Sequence, residues 1–114
     1  MVTCWRGPNA KPWAAYWFQT LPTSVVADVA KSVSPLTFVR AGVPPALSVH
    51  GDADSAVPYS QSVRLHEALK RAGVVEELVT VPGAGHFPFT RAQYEKVFAA
   101  IEAFLIQRGL KAKQ

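Results

Sequence analysis

Apolar positions recur at two different periods along this chain, and the switch between them predicts the order of its elements. Tyr94, Val97, Phe98, Ile101, Phe104 and Leu105 fall at the i, i+3, i+4, i+7 spacing of one helix face. Thr90 is the natural N-cap of that helix, with Gln93 three residues on to complete a capping box. Phe89 before the cap can staple against Tyr94, and Gly109 stops the helix. A second helical pattern covers residues 59–72, carried by Val63, Leu65, His66, Leu69 and Ala72 and ended by Gly73. His66 shares that helix with Arg64 and Glu67, so it is expected to be semi-exposed. Residues 46–50 are a short apolar run containing Val49, read as a strand buried on both faces, and residues 74–81 return to β-type residues. Strand, helix and strand at this spacing predict a parallel βαβ unit with a right-handed crossover. Upstream, Thr23 or Ser24 can cap a helix reaching about Ser32. Ser34-Pro35 ends it, because the residue before a proline is pushed out of the helical region. Residues 36–44, with Gly42, Pro44 and Pro45, connect it to the first strand.

The segment before Thr23 has neither period. It holds Trp5, Trp13, Trp17, Tyr16 and Phe18 between Pro8, Pro12 and Pro22, which predicts an irregular stretch that packs on something. Core or lid packing explains it with fewer assumptions than a substrate-pocket wall, since large aromatics bury area wherever they sit. Residues 1–33 are therefore expected to form an aromatic-rich lead-in of the kind a lid region supplies, and residues 34–114 a separate α/β portion.

With 114 residues the chain is one domain at most, and 49% hydrophobic with 18% charged residues is a globular composition. The net charge of +4 is spread out except for Arg108, Lys111 and Lys113, which suit a helix C-terminus and a solvated tail. No basic stripe interleaved with aromatics points to nucleic acid. The single cysteine, Cys4, can form no internal disulfide, and Arg6 and Lys11 interrupt any apolar run at the start. Neither a signal peptide nor a membrane span is expected, which places the chain in the cytoplasm.

The chemistry concentrates in two loops. The first strand breaks at Gly51 into His50-Gly51-Asp52-Ala53-Asp54-Ser55-Ala56-Val57-Pro58, and the second is followed by Pro82-Gly83-Ala84-Gly85-His86. Loops at the carboxyl ends of adjacent parallel strands lie side by side, so a carboxylate of the first can meet the imidazole of the second. Such a pair fixes the tautomer of the histidine and stabilises the imidazolium formed when a nucleophile is deprotonated.

This pairing resembles the acid and histidine loops of the α/β-hydrolase family, in its esterase/lipase and prolyl-oligopeptidase-like branches, whose acid loop reads H-G-x-x-D-x-x-V-P. Ser34-Pro35-Leu36-Thr37-Phe38-Val39, Gln61-Ser62 and Ala72-Gly73-Val74 extend the resemblance over about residues 33–108. It implies an α/β fold, the C-terminal βαβα unit of a hydrolase, with Asp54 as the catalytic acid and His86 as the general base. Asp52 is the rival carboxylate, but the Val57-Pro58 register favours Asp54 and leaves Asp52 to organise the turn through backbone amides. His50, ending the strand, is expected to bond backbone around the acid turn. The resemblance implies no metal or organic cofactor.

The third member of the triad is missing. No serine before Asp54 (Ser24, Ser32, Ser34, Ser48) stands in a glycine-flanked elbow, and Cys4 lacks the first glycine of a cysteine variant. A glycine-rich oxyanion loop is also absent from the sequence, and the loss of one oxyanion donor alone costs about 2.7–4 kcal/mol. The resemblance therefore implies the C-terminal part of a serine hydrolase, a carboxylesterase acting on small acyl esters once a nucleophile is supplied. A peptidase of the prolyl-oligopeptidase type and a non-catalytic assembly or binding fragment are the alternatives. The first strand would normally have a neighbour on its far side. Its open edge predicts a homo-oligomer, or docking of a separate chain that carries the nucleophile.

Overall fold

The computed structural model describes residues 23–110. The aromatic lead-in before Thr23, the basic tail after Leu110 and the side chains of the two candidate caps, Thr23 and Ser24, lie outside the described residues. The chain divides into two compact units, residues 1–38 and 39–114. In the first, helix α1 spans Thr23–Val33 and a 3-10 helix spans Pro35–Phe38. Ser34 separates them as the pre-proline rule requires. Its N–H reaches back to the Lys31 carbonyl at 3.3 Å, and its own carbonyl accepts from Thr37 at 3.0 Å. The expected connector thus opens with a turn of helix.

In the second unit the order is β1 (Ala46–Gly51), α2 (Ser60–Arg71), β2 (Glu76–Val81) and α3 (Arg91–Gln107). The strands pair in parallel, in register from Ala46 opposite Glu76 to Gly51 opposite Val81. Both therefore end at the same level, and the loops that follow start side by side. The expected βαβα order is present, and β2 begins two residues later than its β-type composition suggests. Val74 is instead the residue past the helix stop: its N–H bonds the Leu69 carbonyl while Gly73, at φ +71°, bonds that of Lys70, both at 3.0 Å. These two bonds form a Schellman closure, which needs a residue comfortable at positive φ. The same closure recurs at the end of α3, with Gly109 at φ +67° and Leu110 bonded to Leu105.

The start of α3 follows the sequence closely. Thr90 accepts from the Gln93 N–H and the Gln93 side chain accepts from the Thr90 N–H, completing the capping box, while the Phe89 and Tyr94 rings lie 5.4 Å apart. The core gathers around Val81, Ala84 and Val97, with Val49, Val79, Phe89 and Ile101 packed against them.

Three expectations about burial need correction. β1 is half-buried except at Gly51, because the sheet among the described residues has two strands and cannot cover both faces. Phe98, placed on the buried stripe of α3 by its spacing, is 63% exposed and stacks on Tyr94. His66 is buried rather than semi-exposed, at 4%, with Nδ1 2.6 Å from the Glu76 carboxylate at the start of β2. Arg64 and Glu67, its polar neighbours in sequence, misled because three residues of helix turn through most of a circle. No described helix is long and apolar enough to cross a membrane.

Candidate active site

The loop after β1 and the loop after β2 are joined through their backbones before any side chain takes part. Asp52 N–H bonds the Val81 carbonyl at 3.3 Å, and Ala53 N–H bonds that of Ala84 at 3.0 Å. A Cβ on Gly51 would collide with the Ala84 carbonyl oxygen and stand 2.6 Å from that of Gly85, so glycine is required where the two loops cross. Asp52 adds a third tie, its Oδ1 accepting from the Gly83 N–H at 2.7 Å. The rival carboxylate thus organises the turn, and does so across the two loops. From the other side Gln93 donates to the Pro82 carbonyl at 3.3 Å, anchoring the histidine loop to the capped start of α3.

Asp54 sits inside this frame. Its Oδ1 accepts the N–H groups of Ala56 at 2.8 Å and Val57 at 2.9 Å, an Asx-type turn in which the loop wraps its own carboxylate. Its Oδ2 lies 2.9 Å from His86 Nδ1. The structure therefore brings together the two residues singled out by the sequence, while Asp52 faces elsewhere. A carboxylate only accepts, so Nδ1 of His86 carries the proton and Nε2 is left to exchange one with a reacting group. The Asp54 side chain is 3% exposed and that of His86 62%. Burial pushes the Asp54 carboxyl up, but the Val57 amide, the His86 ring and the Ala56 amide together outweigh it and hold the group below its ordinary value.

An exposed imidazole oriented by an ionised, buried acid can take a proton at Nε2 from a nucleophile brought up to it, and the carboxylate stabilises the resulting cation. Among the described residues no three His, Cys, Asp or Glu side chains gather in a way that could hold a metal ion. His50 bonds backbone as expected, with Nε2 3.1 Å from the Val57 carbonyl oxygen. Sequence reasoning missed two features: the contact that makes Gly51 indispensable, and Ser62, whose Oγ lies 2.6 Å from His50 Nδ1. The Gln61-Ser62 pair was visible as a motif element, but no spacing rule connects a helix serine to a strand-end histidine.

The comparisons with known proteins point the same way. A family model described as the prolyl oligopeptidase family matches residues 2–110. Among solved structures, esterase 2 of Thermogutta terrifontis phosphonylated by sarin is 35% identical with a TM-score of 0.76, over 91% of this chain and 38% of that one. The native form of that thermophilic esterase is 39% identical over 75% of this chain and 32% of its own, at a TM-score of 0.69. Its butyrate-bound form is 33% identical, with a TM-score of 0.71 over 83% of this chain and 39% of the esterase. A curated relative, the non-reducing polyketide synthase pkbA of Emericella nidulans, is 43% identical over 56 residues, covering 47% of this chain and 2% of the synthase. The chain thus spans well under half the length of the proteins it resembles.

Proposed function

From the premise that the chain belongs to the prolyl oligopeptidase family and carries part of an α/β-hydrolase fold, we infer that it supplies the acid–base half of a serine hydrolase. The observation that carries this reading is the 2.9 Å contact between a buried, ionised Asp54 and an exposed His86. In the complete enzyme a serine outside this half attacks the substrate carbonyl while His86 Nε2 takes its proton. The same proton passes to the leaving alcohol as the tetrahedral intermediate collapses, and water then repeats the cycle on the acyl-enzyme. Asp54 keeps Nδ1 protonated throughout and balances the imidazolium. The oxyanion donors come with the serine, on a part of the sheet beyond the edge of β1 that is unpaired among the described residues.

Carboxylic esters of short acyl groups are the proposed substrates. Support comes from the 32–39% identity to an esterase whose structures include butyrate- and propionate-bound forms. A second reading, hydrolysis of peptide bonds, is favoured by the family model that covers residues 2–110. Both use the same dyad and differ in the leaving group His86 protonates.

Intact mass spectrometry after fluorophosphonate treatment tests the proposal. The 114-residue chain alone gives no adduct, whereas the longest reading frame containing it gives one adduct per molecule and hydrolyses p-nitrophenyl butyrate. Both properties disappear in His86→Ala. An adduct on the 114-residue chain alone would place the nucleophile within it, and labelling that survives His86→Ala would overturn the dyad. Light scattering on the 114-residue chain shows whether the β1 edge, unpaired among the described residues, takes up a second copy.

A further inference from the structure

The acid loop closes on a second histidine that the reaction does not use. His50, near the end of β1, has Nδ1 2.6 Å from Ser62 Oγ in the first turn of α2 and Nε2 3.1 Å from the Val57 carbonyl oxygen. A carbonyl can only accept, so Nε2 carries the ring proton and Nδ1 accepts from the Ser62 hydroxyl. Tyr59 stands edge-on to the ring, centroids 5.6 Å apart at 86°, and its hydroxyl lies 2.5 Å from Oγ1 of Thr80, the residue opposite His50 across the sheet. An imidazole only 11% exposed is thus locked in one tautomer and one orientation.

What this ring holds is Val57, the residue whose N–H in turn donates to Asp54 Oδ1. The succession runs from the Ser62 hydroxyl to His50, from His50 to the Val57 carbonyl, and from the Val57 amide to the carboxylate that receives His86. His50 Nε2 also lies 3.2 Å from Asp54 Oδ2, so the ring limits where that oxygen can swing. We propose that His50, locked by Ser62, is a positioning residue for the acid–base pair: it closes residues 51–58 so that Asp54 Oδ2 stays on His86 Nδ1. The proposal rests on reading Asp54 and His86 as the reacting dyad.

Long-range proton–nitrogen correlation spectra of the 114-residue chain at mildly alkaline pH report the tautomer of each neutral ring. In the unmodified chain His50 is the Nε2–H form and His86 the Nδ1–H form. His50→Phe keeps a ring beside Tyr59 but has no donor for Val57, and His86 relaxes toward the tautomer mixture of free imidazole. His50→Gln, which retains a donor, restores the Nδ1–H form. Ser62→Ala unlocks the His50 tautomer and lowers the Nδ1–H fraction of His86, whereas Ser62→Thr leaves both unchanged. If His50→Phe does not fold, the smaller Ser62→Ala change carries the test. A merely structural His50 would lower thermal stability and leave the His86 tautomer where it was, which overturns the proposal. Asp54→Asn separates the two levels. A His86 tautomer indifferent to that change defeats the dyad reading itself, and one that responds to Asp54→Asn but to neither His50→Phe nor Ser62→Ala defeats only the positioning role.

Discussion

The acid loop and the histidine loop contribute one side chain each to the proposed dyad, and they hold it in opposite ways. Asp54 is buried, with two backbone amides on one oxygen and two imidazole nitrogens within 3.2 Å of the other. His86 is largely exposed, and among the described residues it is held by its contact with that carboxylate. Orientation is thus built into the acid, where an ionised group shielded from water must be fully partnered. Freedom is left to the imidazole, which on the proposed reading meets a nucleophile and a leaving group in turn. The difference teaches that changes at the two positions should separate along different axes, stability at the acid and activity at the base.

The sharpest separation is expected from His86→Ala. In the complete enzyme it lowers kcat by about four orders of magnitude or more, while the unfolding free energy of the chain changes by about 1 kcal/mol or less. Steady-state kinetics beside urea unfolding measures both, and a large stability loss would show that the base is structural after all. Gly51→Ala breaks the comparison from below, since its methyl meets the Ala84 and Gly85 carbonyls that join the loops. A stability loss of about 1–3 kcal/mol is expected, together with loss of the Asp54–His86 contact, read from the His86 ring signals.

Acid titration addresses Asp54 directly. Its carboxyl is held below the ordinary 3.8, so its contribution to stability is fully present above that value and disappears as the pH falls through the lower value of the folded chain. Asp54→Asn is therefore less stable at neutral pH and lacks this part of the acid limb in thermal unfolding, whereas an unchanged limb would assign it to other carboxylates. The smallest effect is expected from Thr90→Ala, which removes the capping box at about 1 kcal/mol and leaves the His86 ring signals unaltered.

What could be read from the sequence was local or carried by order along the chain. The α3 cap depends on residues three apart, the helix stops on single glycines, and the choice between Asp52 and Asp54 on the Val57-Pro58 register. What could not be read was burial. His66 lies among polar neighbours in sequence yet faces Glu76 across the βαβ crossover, and Phe98 keeps helical spacing on a helix with too little sheet beneath it to cover the whole stripe. The Gly51 contact was also invisible, because the carbonyls that require it lie more than thirty residues away.

The seam at Gly51 separates inheritance of shape from inheritance of chemistry. Main-chain bonds, the Asp52 carboxylate and one small residue hold the two loops together, so side chains at 54 and 86 can be rewritten by mutation while the seam itself stays closed. A descendant could exchange the acid, lose the base or take up a different reaction on the same frame. Position 51 has no such latitude, and a lineage that abandoned both members of the proposed dyad would still be expected to keep its glycine.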